Sequence, residues 1–115
     1  MVDVDVLIVG GGFVGSTLAA ALSGTGISVA LIESADLRDT INSEFDGRSF
    51  AVSLSNQRLL AAVGIWEGLE KTVSPICDIR ISDGPSLLFL HFDHREVGSE
   101  PMGYMVENCY LRRAQ

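Results

Sequence analysis

Basic residues, cysteine and long apolar runs are all scarce in this chain, and each shortage removes a class of explanation. Lysine and arginine number 8 against 15 aspartate and glutamate, for a formal net charge of −7. Arg112-Arg113 is the only adjacent basic pair. With no basic stripe, the balance argues against a nucleic-acid partner and against a polybasic membrane anchor. The 2 cysteines, Cys77 and Cys109, lie far apart with no C-x-x-C spacing. A disulfide scaffold or zinc site is therefore not expected, and a reducing cytoplasmic compartment is. No run approaches the ~18 apolar residues of a membrane span. The opening Met-Val-Asp-Val-Asp lacks the positive region of a secretory signal. Repeats and low-complexity segments are absent. What remains is a 115-residue chain, 47% hydrophobic, of a size for one domain with a real core.

The organising stretch is residues 4–33. Val4, Val6, Leu7, Ile8 and Val9 form a short apolar run, as expected of a strand buried on both faces. Gly10, Gly12 and Gly15 then spell G-x-G-x-x-G, and a run rich in Ala and Leu follows at helical spacing until Gly24 and Gly26 stop it. A second apolar strand over residues 27–32 ends on Glu33, about 20 residues beyond the glycines, as a dinucleotide fingerprint requires. Gly10 permits the tight turn, Gly12 lets a pyrophosphate approach the backbone, and Gly15 allows close helix packing. Amides opening the helix, with the positive end of its dipole, would hold phosphate charge. Glu33 can accept from ribose hydroxyls and would repel a 2′-phosphate, so the site favours NAD or FAD over NADP. The fold class this implies is α/β, a Rossmann-like βαβ unit.

Residues 34–48 are too polar for a core element and read as a loop, with a short helical turn near residues 37–41. Ser53 or Ser55 can cap a helix running to about Val63, stopped by Gly64. Trp66 and Leu69 suggest a second short helix ending before Ser74-Pro75. Cys77, Ile79 and Ile81 alternate with Asp78, Arg80 and Ser82, the period of a half-buried strand. Asp83-Gly84-Pro85 is a turn and residues 86–92 another strand, giving an antiparallel hairpin. This inserted hairpin departs from simple βαβ winding and marks the start of a second sheet or domain. His91 and His94 lack the convergent ligands of a metal site. Tyr104 to Val106 reads as a short strand, and Asn108 onward as the first turns of a helix. An ending inside a helix, without a C-terminal cap, is expected of a truncated piece of a longer chain. The expected division is a dinucleotide-binding core over residues 1–75, the hairpin insertion over 76–103, and a return to the cofactor domain over 104–115.

Two further stretches carry a resemblance. Asp46-Gly47-Arg48-Ser49-Phe50-Ala51-Val52-Ser53-Leu54-Ser55, followed by Leu59-Leu60 and Val63-Gly64-Ile65-Trp66, resembles the D-x-R-x-x-A-L-S…L…L-G-x-W pattern of the ubiquinone-biosynthesis flavin hydroxylases. Gly103-Tyr104-Met105-Val106-Glu107-Asn108, then Leu111-Arg112, is similar to their G-Y-x-V-E-N-x-x-L segment. These enzymes belong with the aromatic hydroxylases similar to p-hydroxybenzoate hydroxylase, and the resemblance covers only the N-terminal part of their length. It implies an FAD-binding unit whose hairpin begins the substrate-domain sheet. By position, Gly10, Gly12 and Gly15, with the backbone of Phe13 and Val14, would meet the FAD pyrophosphate, and Glu33 its ribose. Arg48 would approach the flavin side and Asn108 the ribityl chain. Gln115 stands where the family commonly has an apolar residue.

The resemblance further implies a monooxygenase that takes NAD(P)H and dioxygen and hydroxylates a prenylated phenol. Peripheral association with the inner membrane or with a ubiquinone-biosynthesis complex goes with that role. No residue here is a convincing acid, base or nucleophile, so the chain by itself is expected not to turn over. Read from the residues alone, Arg48 has the alternative of a surface arginine paired with Asp46 or Glu44, and Asn108 that of a helix cap. Two other readings stand beside the flavoenzyme. One is an NAD-dependent dehydrogenase fragment, which would normally continue with further βα units. The other is a non-catalytic interaction module covering its orphan faces by self-association.

Overall fold

The computed structural model describes residues 3–42 and 44–115; Met1, Val2 and Ser43, which fall in the opening segment and in the stretch read as a loop, lie outside them. The apolar run forms β1 (Val6–Val9), the Ala-rich stretch forms α1 (Phe13–Leu22), and β2 (Val29–Ile32) follows. β1 and β2 pair in parallel, from Val6 with Val29 to Val9 with Ile32. The two-sided burial expected of β1 is not realised. Ile8 is buried, but Leu7 and Val9 on the opposite face are 55% and 79% exposed. Both strands are short, and α1 covers one face of the pair while nothing among the described residues covers the other.

A short α2 (Leu37–Ile41) follows, where the turn near residues 37–41 was expected, its start fixed by the Asp36 carboxylate accepting the Arg38 amide at 2.8 Å. The Asp-x-Arg stretch leads into β3 (Ser49–Ser53), which runs directly into α3 (Leu54–Ala62). Of the two capping serines, Ser53 is the one used, its hydroxyl accepting the Asn56 amide. A single 3₁₀ turn covers Trp66–Gly68. Ser74-Pro75, expected only as a stop, belongs to β4 (Ser74–Ile76). β5 (Asp78–Ser82) and β6 (Phe89–Asp93) make the hairpin, with the second strand starting three residues later than the expected residue 86. A 3₁₀ turn over His94–Glu96 precedes β7 (Gly103–Glu107) and α4 (Asn108–Ala114).

β7 is the centre of an antiparallel sheet in the order β3-β7-β4. It pairs Ser49 with Glu107 through Ser53 with Gly103 on one side, and Ser74 with Met105 through Ile76 with Gly103 on the other. Proline is tolerated in β4 because that strand is an edge. Behind this sheet α3, the Trp66 turn and α4 bury the core of Val52, Leu60, Ile65, Trp66, Leu69, Val106 and Leu111. Each fully buried leucine contributes about 1.5–3 kcal/mol. Trp66 meets Tyr104 edge-on, ring centroids 5.0 Å apart.

Phe13, at the start of α1, stacks on Phe50 of β3 with centroids 6.0 Å apart and joins the βαβ unit to this core. The hairpin, by contrast, is exposed along the whole of β5 and all of β6 but its last residue. Its registers Ile81 with Leu90 and Ile79 with Phe92 set four apolar side chains on one face. The molecule is accordingly long, 62 × 29 × 26 Å.

Candidate cofactor site

The site begins where β1 ends. Gly10 adopts φ +103°, a left-handed turn closed to most side chains, and its amide donates to the Ile32 carbonyl at 2.8 Å. Gly15 sits so close beneath this turn that a Cβ there would lie 1.9 Å from the Gly10 carbonyl oxygen. At Gly12 a Cβ would meet nothing within 4 Å and would project into open space. Gly12 is also the cap of α1, so no side chain occupies the amides of the first turn. A cradle of bare amides at the positive end of a ten-residue helix, with room above it, suits a phosphate group. Ser16 Oγ, donating to the Gly11 carbonyl at 2.9 Å, and Thr17 Oγ1, donating to the Phe13 carbonyl at 2.7 Å, tie the turn down.

Glu33 reaches back from the end of β2 to this turn. Its Oε2 accepts the Gly11 amide at 2.6 Å, and its Oε1 accepts the Ala35 amide at 2.9 Å and the Ser34 hydroxyl at 3.2 Å. These donors, the Ala35 amide foremost and then those of Gly11 and Ser34, hold the carboxyl below its ordinary pKa. Within hydrogen-bond distance Oε1 holds two of these donors and Oε2 one, so Oε2, the oxygen beside Gly11, can accept another.

Both features open on one cleft of about 640 Å³, whose walls include Gly11, Gly12, Phe13, Glu33, Arg112 and Gln115. Of the residues expected to meet a cofactor, Gly12, Phe13 and Glu33 line it. Gly10 and Gly15 shape it from beneath, and Val14 is exposed on the first turn of α1. Arg112 and Gln115 were not foreseen as lining residues. Nothing in the spacing announces them, because they arrive only when α4, packed against α2, β7 and the Trp66 turn, brings its end to the start of α1. Gln115 Nε2 donates to the Phe13 carbonyl at 2.7 Å and to Thr17 Oγ1 at 2.9 Å, closing the two helices together.

Arg48 and Asn108 form a separate cluster, and neither lines the cleft. They meet at Asp46. Arg48 donates to Asp46 from its amide at 3.0 Å and from its guanidinium at 2.9 and 2.6 Å. Asn108 Nδ2 donates to the same carboxylate at 2.7 Å, and the Asn108 amide donates to the Arg48 carbonyl at 3.0 Å. The guanidinium of Arg48 is mostly exposed, so its pairing with Asp46 is the arrangement that the spacing alone had left open. Asn108 is 5% exposed and is the first residue of α4, with Glu107 as the cap. The Arg48 side-chain bonds, then that of Asn108, lower the Asp46 pKa to about 2. The Asp-x-Arg spacing was the signal for Asp46, and only the fold shows that Asn108 completes it.

Elsewhere, His91 Nε2 lies 2.8 Å from Asp78, and His94 Nδ1 lies 3.1 Å from the Cys77 carbonyl. Among the described residues no group of His, Cys, Asp and Glu is arranged to hold a metal ion, and no helix is long and apolar enough to cross a membrane.

Comparison with known proteins places these features in context. The pattern of the FAD dependent oxidoreductase (DAO) family matches residues 5–97. Ubiquinone hydroxylase UbiL of Rhodospirillum rubrum is 51% identical over 110 residues, covering 96% of this chain and 25% of that protein. Ubiquinone hydroxylase UbiM of Neisseria meningitidis is 35% identical over 115 residues, covering 96% and 25%. The 3-demethoxyubiquinol 3-hydroxylase of Escherichia coli is 32% identical over 112 residues, covering 96% and 28%. The chain thus spans about a quarter of the length of these curated relatives. Among solved structures, the peptidyl tryptophan dihydroxylase QhpG superposes with a TM-score of 0.59 at 16% identity, over 98% of this chain and 22% of that one. That likeness is one of fold.

Proposed function

Because the chain belongs to the FAD dependent oxidoreductase family, we propose that the cleft at the glycine turn seats the diphosphate and adenosine ribose of FAD. The observation that carries this is the bond between the Gly11 amide and Glu33, which sets a side-chain-free amide cradle and a sugar-binding carboxylate on one wall. The amides following Gly12, including those of Phe13, Val14 and Gly15, take the diphosphate, while Gly10 and Gly15 hold the turn in shape. The open acceptor position of Glu33 takes a ribose hydroxyl, and its charge disfavours a 2′-phosphate. Arg48 and Asn108, linked through Asp46, serve the flavin and ribityl end.

The likeness to the ubiquinone hydroxylases supports a wider reading. The chain is the N-terminal FAD-binding portion of a longer monooxygenase that hydroxylates a prenylated phenol in ubiquinone biosynthesis, with NAD(P)H as co-substrate. When bound, the flavin would supply the redox chemistry, passing two electrons from NAD(P)H to O2 so that one oxygen atom goes to the ring and the other leaves as water. The residues here bind and orient the cofactor and supply no acid or base to the reaction. Residues 1–75 and 104–115 form the cofactor-binding part, and 76–103 begin the sheet that faces substrate. The apolar hairpin face would meet the remainder of the longer protein, or a second copy of this chain in its absence. Peripheral membrane or complex association belongs to the longer protein.

Flavin fluorescence quenching on titrating the purified chain with FAD tests the seat. Saturable binding is expected, weakened about tenfold in Glu33→Ala, the loss of roughly one hydrogen bond. Unchanged affinity in that variant would remove the ribose assignment.

A further inference from the structure

Arg112 stands one helical turn beyond Asn108 on α4, half-buried, in the wall of the cleft that Gly11, Gly12 and Phe13 also line. Its neighbour Arg113 is engaged elsewhere: Nε donates to the Ile41 carbonyl at 3.1 Å, and the guanidinium lies 5.9 Å from the Tyr110 ring centre. Arg48, Arg58 and Arg95 each pair with a carboxylate. The Arg112 side chain has no hydrogen bond or ion pair with any described residue. Glu33, the carboxylate on the same cleft, is committed to Gly11, Ser34 and Ala35 instead. The Arg112 guanidinium keeps solvent and no carboxylate as neighbours, so its nitrogens are available to an anion that enters the cleft. Here it shares a cleft with bare helix-opening amides, so both cationic features converge on one volume.

We infer that Arg112 is a cofactor-binding residue whose guanidinium engages the diphosphate of the dinucleotide seated on the glycine turn. The inference rests on the FAD seat proposed above. The planar fork of arginine matches two phosphate oxygens at once, which a lysine ammonium cannot do. The amides of α1 take the diphosphate from one side and Arg112 takes it from α4. Gln115, bonded to Phe13 and Thr17, fastens the end of α4 beside this contact.

The test is FAD titration of the purified chain and of Arg112→Ala, Arg112→Lys, Arg113→Ala and Gly12→Val, with ADP and adenosine as competitors. Arg112→Ala should weaken FAD and ADP at least tenfold, leave adenosine competition within twofold, and flatten the salt dependence of FAD binding. Arg112→Lys should recover only part of the affinity, and Arg113→Ala should bind as the unaltered chain does. Thermal unfolding monitors the fold; if Arg112→Ala unfolds, Arg112→Gln, which keeps the stem, carries the same expectation. Gly12→Val separates the two levels of the argument. If it abolishes binding while Arg112→Ala and Arg112→Gln do not weaken ADP, the role of Arg112 is overturned and the seat stands. If the unaltered chain binds no FAD, or Gly12→Val is harmless, both fall.

Discussion

Asn108 and Asp46 lie 62 positions apart in sequence and 2.7 Å apart in space. The amide of one donates to the carboxylate of the other, and this bond ties the segment entering β3 to the start of α4. Asn108→Ala should therefore destabilise the chain by about 1 kcal/mol, a typical net hydrogen bond, read as a lower denaturant midpoint at unchanged slope. Asn108→Asp, which sets a second carboxylate against Asp46, should cost more at pH 7 and recover on acidification. Equal midpoints for both variants would argue against the bond.

The same cluster predicts a pH dependence. Asp46 falls from its ordinary 3.8 to about 2 on folding, through the Arg48 and Asn108 donors. A carboxyl depressed in the folded state contributes stability above its unfolded pKa and loses it as pH falls through the folded value. The contribution should be complete above about pH 4 and vanish toward pH 2. Arg95 depresses Asp93 in the same direction and further, so that contribution persists to lower pH than that of Asp46. The difference between the unaltered chain and Asp46→Asn isolates the first group, and a parallel acid profile for the two would refute it.

Gly15 and Gly12 should part company under one added methyl. Gly15→Ala drives a Cβ into the Gly10 carbonyl, a backbone atom that cannot yield without moving the turn. It should lower the melting temperature and FAD affinity together. Gly12→Ala meets open space at an ordinary φ of −73°. It should leave unfolding within about 0.5 kcal/mol and weaken FAD about tenfold or more by standing where the diphosphate approaches. Calorimetry and flavin titration on the two variants decide this.

The hairpin face of Ile79, Ile81, Leu90 and Phe92 should drive concentration-dependent association of the isolated chain. Ile81→Lys, on an exposed strand, should lower the weight-average mass in sedimentation with little change in melting temperature. A chain that is monomeric throughout would dispose of the idea.

What could be read in advance follows from how locally each feature is encoded. The glycine turn, α1 and Glu33 were legible because the fingerprint is a backbone requirement written within residues 4–33. β5 showed its alternation, β6 was expected as its partner beyond the Asp83-Gly84-Pro85 turn, and α2 showed its place. β3 and β4 did not show themselves, since each is short and is a strand only by pairing with the distant β7. Asp46 was visible as a motif letter but not as the meeting point of Arg48 and Asn108. Arg112 was visible as part of a basic pair, yet its place in the cleft wall depends on which face α4 turns toward it. The burial of β1 was overestimated because apolar content records a capacity to be covered, and this stretch of chain covers one side of it.

That uncovered side of β1 has a thermodynamic corollary. Leu7 and Val9 lie on the strand that ends in Gly10, so a protein segment laid over them and a dinucleotide laid on the turn both stiffen one short ladder. Two binding events that order the same element assist each other, and by equal factors. Cofactor uptake and completion of the sheet should accordingly strengthen each other, the isolated chain binding FAD more weakly than one whose sheet is covered.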